Sequence, residues 1–302
     1  MHAIMLEADM EKLLFVDTNI YLDFYRLRTE TSLSLFNHLQ SISDKIIVTS
    51  QVEMEFKKNR PLVIQETLSD YKEFPTIQRP GFLSNDPSVK GLMNDIRKGN
   101  EKIKKIKKRI ERILRKPTTH DDVYKIIQRI FTKQDSLNLT RDHDSRRRIR
   151  SRAFRRFLNG YPPRKEKDTS IGDAFNWEWI IEVANQERAN IHIVSRDGDY
   201  GNDFINDWLL QEFKDRTTRK RTIVLHKKLS AVLREFKVKV TKEEIAEEQK
   251  VSNIQKILRE NLSELNAELN AAREAFKNEM LKITKGPSFS DLIQHISPRT
   301  AG

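Results

Sequence analysis

Four acidic residues stand at matching places in this chain: Asp17, Glu55, Asp173 and Asp197. Asp17 closes the apolar run LLFV. Glu55 falls in the first turns of the helix expected after KIIVT (residues 45–49). Asp173 follows Gly172 at the head of the stretch IGDAFNWEWIIEVANQ. Asp197 comes just past the run IHIV, with Asp199 close behind. For a lone D-T-N, helix capping is the simplest account, because a side-chain oxygen there accepts an orphan backbone N–H. Capping explains one acid and not the other three. Carboxylates brought together repel one another and are costly to bury unless a cation accompanies them. An all-oxygen donor set in a chain with no cysteine selects Mg²⁺ or Mn²⁺ over zinc. Ions of that kind serve phosphoryl transfer by activating water, orienting the phosphate and neutralising charge on the leaving oxygen.

Positioning such acids takes strands whose carboxyl ends share one edge. Short apolar runs at 12–17, 45–49, 191–195 and 222–225 read as buried strands, bounded as they are by turn signals. Helical periods fill the intervals at 20–41, from 51 onward, 171–186, 204–213 and 228–235. Ser50 is the expected N-cap of the second of these, and Pro61 is expected to kink or break it. Segment 74–90, with Pro75, Pro80, Gly81 and Pro87, reads as a loop. Strands alternating with helices predict an α/β fold around a mostly parallel central sheet, which binds ligands at the carboxyl ends of its strands.

The net charge of +12 is unevenly spread. Residues 97–156 carry 22 Lys and Arg against 7 Asp and Glu, so the rest of the chain is slightly acidic. Residues 101–116 (EKIKKIKKRIERILRK) put Ile103, Ile106, Ile110 and Ile113 on one stripe among bases, and Pro117 is expected to stop that helix. Further helices are expected over 121–133 and 146–158. A localised basic stripe is the footprint of a polyanion partner. The division expected is a split α/β domain (1–90 and 160–240), a basic helical insertion (91–159) and a C-terminal segment (241–302). That segment is read as a long amphipathic helix, with Ile254, Leu258, Leu262, Leu265, Leu269, Phe276 and Met280 at three- or four-residue spacing. It suits docking onto the body, a second copy or a protein partner. With no cysteine, no signal-peptide pattern and no membrane-length apolar run, the expected setting is the cytoplasm.

Four segments together resemble the PIN-like nuclease family. FVDTN (15–19) is similar to its first motif, VTSQVEMEF (48–56) to its second, IGDA (171–174) to its third and IVSRDGDY (193–200) to its fourth. The resemblance implies a three-layer fold. It implies metal ligation by Asp17, Glu55, Asp173 and Asp197, with Asp199 nearby and Glu53 as the alternative if the register shifts by two. Asn19 and Ser195 fall where the family places polar residues that orient ligands or water. The implied activity is metal-dependent hydrolysis of phosphodiesters, in single-stranded RNA rather than DNA, in toxins or RNA-processing enzymes, and by analogy in anti-phage effectors. The long basic insertion between Glu55 and Asp173 departs from the compact family domain. The backbone-gripping residues expected from it are Lys102, Lys105, Lys108, Arg109 and Arg112, then Arg147, Arg148, Arg152 and Arg155 in the basic stretch 146–156. Arg164, Lys165 and Lys167 come just before Asp173. The alternative is a PIN-like protein that binds nucleic acid without cutting it.

Other chemistries lack their residues. There is no H-E-x-x-H and no phosphate-cradling G-x-x-x-x-G-K-[ST]. His120-Asp121-Asp122 and Asp142-His143-Asp144 read as helix caps beside basic helices. Trp177 and Trp179 read as core, with one edge open to a base.

Overall fold

The computed structural model describes residues 10–26, 30–163 and 170–284. It divides into two compact units, one ending at Glu248 and one beginning at Gln249. The first holds five parallel strands, β1 (Lys12–Val16), β2 (Ile46–Thr49), β3 (Asn138–Leu139), β4 (Asn190–Val194) and β5 (Ile223–His226), in the order β3-β2-β1-β4-β5. Every residue of β2 and β4 is buried, as is all of β1 after Lys12. That is why these strands read as unbroken apolar runs, for a parallel sheet is covered on both faces.

Helices run between and after the strands: α1 (Thr18–Asp23), α2 (Glu30–Ser41), α3 (Ser50–Leu68), α4 (Pro87–Arg115), α5 (Pro117–His120), α6 (Asp122–Phe131), α7 (Arg146–Leu158), α8 (Gly172–Gln186), α9 (Asp207–Arg216), α10 (Leu229–Glu235) and α11 (Lys242–Thr284). From β1 the chain steps outward to β2 and β3. It then crosses back to lay β4 on the other side of β1, with β5 beyond. The direction reverses between β1 and β4, and the carboxyl ends of strands at such a switch point form the usual ligand crevice of an open parallel sheet.

Several local expectations shift. The expected 20–41 helix is two helices, and the rings of Phe24 and Phe36 meet at 4.5 Å. The N-cap of α3 is Thr49, not Ser50. Thr49 still has extended backbone and its hydroxyl accepts from Val52 N at 3.1 Å. Pro61 does not break α3, which is packed beyond it through Val63 and Ile64. Pro117 ends α4 and also begins α5, at the first helical position where its missing N–H costs nothing.

The basic segment is tied into the sheet. β3 pairs with β2, and Ile127, Ile130, Phe131, Ile149 and Ala153 join the main core. Two buried ion clusters fasten its helices. Arg60 of α3 binds Asp121 ahead of α6. Arg156 of α7 binds Glu178 of α8 and Glu212 of α9, which Arg216 also binds. Arg156 is therefore a structural residue rather than a surface grip. Trp177 and Trp179 are wholly buried, which removes them as stacking surfaces. Among the described residues no helix is long and apolar enough to cross a membrane. In α11, Ile257 and Phe276 are exposed. The side chains of Ile254, Leu258, Leu262, Leu265, Leu269 and Met280 lie outside the described residues.

His192 on β4 is buried against His226 on β5, with ring nitrogens 2.9 Å apart. Burial, then the nearby His226 and Lys12, pushes His192 down to about 4, while Glu235 opposes the shift. The unfolded chain takes up its proton near the ordinary value and the folded chain refuses it. Stability present above pH 6.5 is therefore lost as pH falls toward 4. His192→Gln should flatten the fall in unfolding free energy, read from urea titrations, between pH 7.5 and 4.5 by on the order of 2 kcal/mol. Identical slopes in variant and wild type would contradict this.

Candidate active site

Asp17 follows β1 directly, and its backbone N–H donates to Val194 O at 3.0 Å, so the ends of β1 and β4 lie side by side at the switch point. Its side chain caps α1, as the simplest reading of D-T-N requires: Oδ1 accepts from Thr18 N at 2.7 Å. The other oxygen, Oδ2, accepts from Asn19 Nδ2 at 2.7 Å and from Ser195 Oγ at 2.5 Å. Ser195 Oγ in turn accepts from Asp197 N at 3.1 Å, and Arg196 N donates to Asn19 Oδ1 at 3.4 Å. Asn19 and Ser195 thus lock Asp17 to the loop after β4.

Glu55 lies on α3 and turns to the same edge. Its two oxygens accept from Thr18 Oγ1 at 3.0 Å and from Gln51 Nε2 at 2.6 Å. Glu53 does not share this place. It pairs with Lys57 at 2.5 Å and accepts from Gln128 of α6. Asp173 occupies the first turn of α8. The preceding Gly172 presses so closely on Glu55 that a Cβ there would stand 2.7 Å from its Oε1 and 2.6 Å from Gln51 Nε2. The start of α8 is held to the end of β2 by Thr49 Oγ1, which donates to Asn176 Oδ1 at 2.6 Å.

Electrostatics shows how close the acids come. Burial, reinforced by the charges of Asp197 and Glu55, pushes the Asp17 carboxyl up to about 7 despite hydrogen bonds from Ser195 and Thr18. Among the described residues, the hydrogen bonds to the Asp17 and Glu55 carboxyls come from neutral groups, which aim their oxygens without cancelling their charge. Tyr200 reports on the same field. Its phenol is buried and pushed well up by burial, then by Asp173, Asp17, Glu55 and Asp199. Its hydroxyl has no hydrogen-bond partner among the described residues. Asp17 thus feels Asp197 and Glu55, and Tyr200 feels Asp173, Asp17, Glu55 and Asp199, so the five expected acids lie around one edge. Among the described residues no group of three or more acidic or histidine side chains is arranged to hold a metal ion.

Sequence reasoning missed Thr18 and Gln51 as partners of Glu55, and the buried Tyr200. Tyr200 was signalled only by lying directly after Asp197-Gly198-Asp199. It also missed Lys227, whose Nζ donates to Asp197 O and Gly201 O at 2.9 Å each and fastens the acidic loop to the chain after β5.

The expected backbone grips divide into three groups. Lys102, Lys105, Lys108, Arg109 and Arg112 are exposed on α4, as are Arg147 and Arg155 on α7. Arg148 and Arg152 turn instead to Glu182 on α8, at 2.6 and 2.9 Å. Arg164, Lys165 and Lys167 lie outside the described residues.

A family model described as a PIN domain matches residues 14–200, a span that contains all five acids. No curated protein and no solved structure matches the chain.

Proposed function

The chain belongs to the PIN domain family, whose fold is of nuclease type, and from that premise we propose that it is a divalent-cation-dependent nuclease. The substrate is single-stranded nucleic acid, RNA in preference to DNA. The observation that carries this reading is Asp17. It is a buried carboxyl pushed up to about 7 by burial and then by Asp197 and Glu55, yet held by neutral donors. Folding holds like charges together at one rim, a cost that a bound cation would offset.

The donor chemistry fits a hard divalent ion, for every side chain of the set offers oxygen. Asp17, Glu55, Asp173 and Asp197, with Asp199 beside them, would hold Mg²⁺ or Mn²⁺, which supplies charge neutralisation and water activation when bound. The chain's own residues do the rest. Ser195 and Asn19 aim Asp17, and Thr18 and Gln51 aim Glu55. The exposed bases of α4 and α7 attract the phosphate backbone, so binding should weaken steeply with salt. In a cell, such cutting suits a cytoplasmic toxin or anti-phage effector.

A second reading is a PIN-like protein that binds nucleic acid without cutting it. The exposed bases of α4 favour it, because they would grip a strand whether or not it is cut. Labelled single-stranded RNA and DNA incubated with Mn²⁺, Mg²⁺ or chelator separate the two. Cleavage that needs the ion supports the nuclease; tight binding with no cleavage under any condition supports the second.

Gly172→Ala offers a finer check on the site's geometry. The atoms a new Cβ would meet are the ends of two flexible side chains, Gln51 and Glu55, so the fold can give way at little cost. Glu55, however, must move. Cleavage should fall by about tenfold to a hundredfold, because small displacements of a reacting group are expensive. The urea midpoint should stay near that of the wild type. Undiminished cleavage would show that Glu55 need not stand where it does.

A further inference from the structure

Helix α7 presents three different faces. Ile149, Ala153 and Arg156 point inward, and Arg148 and Arg152 are bound to Glu182. Arg147, Arg150, Phe154 and Leu158 follow at intervals of three and four along the remaining side, the spacing of one helical face. Phe154 is 52 % exposed there. A single exposed apolar side chain means little on its own. This one helps to line a cavity of about 520 Å³ with Arg147, Arg150, Ser151 and Ile171. Arg147 and Arg150 form no ion pair among the described residues, the Glu182 carboxylate being taken by Arg148 and Arg152. Ile171 is the residue just before α8, two positions ahead of Asp173.

An aromatic ring open to a concavity, flanked by two guanidinium groups and beside the segment carrying a site acid, has the chemistry of a single-strand subsite. The ring offers a face for a base and the guanidiniums meet phosphates. We propose that Phe154, with Arg147 and Arg150, forms a stacking subsite for one unpaired nucleobase of the strand that reaches the acidic edge. The proposal rests on the nuclease reading and names how that substrate is held. Inside a duplex each base face is already covered by its neighbours, so the subsite selects single strands over duplex. A protein partner would leave the two guanidiniums needing carboxylates, whereas a nucleic-acid strand supplies both the anion and the ring.

The test measures fluorescence anisotropy of a labelled single-stranded RNA against the full chain in chelator, so that no cleavage intervenes. Phe154→Ala should weaken binding by roughly tenfold, and Phe154→Tyr should restore it. Neither change should alter the dependence on salt. Arg147→Gln with Arg150→Gln should weaken binding and make it less salt-dependent, by about 0.7 in the logarithmic slope for each phosphate no longer neutralised. An oligonucleotide of abasic sugar-phosphate should bind Phe154→Ala and wild type alike. Equal affinity of Phe154→Ala and wild type for normal RNA sinks the subsite, and so does an equal loss for the abasic strand. If ion-dependent cleavage persists in that case, the nuclease reading survives. If the wild type binds no oligonucleotide, both fail together.

Discussion

Asp17→Asn should reduce ion-dependent cleavage by at least about a hundredfold and, at pH 8 without divalent cation, make the protein more stable than the wild type. The first effect follows from place: Asp17 sits at the switch point, in contact with the residues that order the loop carrying Asp197. The amide keeps an oxygen for Thr18 N, but its NH2 takes the place of Oδ2, so the Ser195 hydroxyl must rotate to accept from it and the Asn19 amide must turn its oxygen toward it, giving up the 3.4 Å bond from Arg196 N. The fold still has little reason to fail. The second effect follows from charge. In the folded protein the carboxyl titrates at about 7 instead of near 3.8. Between those values the folded state holds a proton that the unfolded state has released, so stability falls as pH rises through the window and stays low above it. An asparagine does not titrate. The advantage of the variant should thus grow from pH 4 to pH 7 and level off, at on the order of 3 kcal/mol. Adding Mn²⁺ should reverse the order, stabilising the wild type through binding that the variant has forfeited. Cleavage equal to wild type would remove Asp17 from the site. A variant no more stable at pH 8 would mean that the acids are not crowded in solution.

The same residue shows what the sequence could and could not reveal. Asp17 and Asp197 were legible because buried parallel strands write themselves as apolar runs, and an acid at the end of such a run stands out; Asp173 has no strand directly before it and was marked only by its place at the head of a helical run. Glu55 was legible only to within two residues. Glu53 and Glu55 lie on one helix, and the choice between them depends on Thr18 and Gln51, which no spacing rule names. β3 was not legible at all: two residues give no period, and Asn138 holds its place by side-chain bonds to Phe131 O and Lys133 O at 2.8 Å each. The facing of the basic segment's arginines was not legible for a related reason. Arg148, Arg152 and Arg156 look like any surface arginine until Glu182, Glu178 and Glu212, at distant positions, are brought alongside. Local pattern records a helix and its charge; which face meets carboxylates is decided by tertiary packing.

Arg60→Met should lower the stability of the first unit by about 3–5 kcal/mol, the largest structural effect expected from any single change here. Arg60 and Asp121 are both buried, at 3 % and 4 % exposure. The guanidinium donates through Nε to Asp121 Oδ2 at 2.9 Å and to Tyr25 Oη at 3.0 Å, and through Nη2 to Ile113 O at 3.0 Å. It lies over the rings of Tyr25 and Tyr124 at 5.4 and 5.3 Å. One side chain of α3 therefore fastens α4, α6 and the turn after α1, and α3 is the helix that carries Glu55. Methionine fills much of the volume but leaves the Asp121 carboxylate buried with only the Tyr25 hydroxyl and the α6 backbone for partners. An uncompensated buried charge, more than the missing hydrogen bonds, sets the cost. Adding Asp121→Asn to Arg60→Met should therefore recover much of it. The amide oxygen still caps α6 through Tyr124 N, and no charge is left behind. Urea unfolding followed by the fluorescence of buried Trp177 and Trp179 reads this unit directly. A single-variant loss under about 1 kcal/mol would show that water reaches the pair. A double variant no better than the single would place the cost in packing rather than in charge. If recovery is seen, cleavage by the double variant tests whether α3 holds Glu55 in place without its ionic anchor.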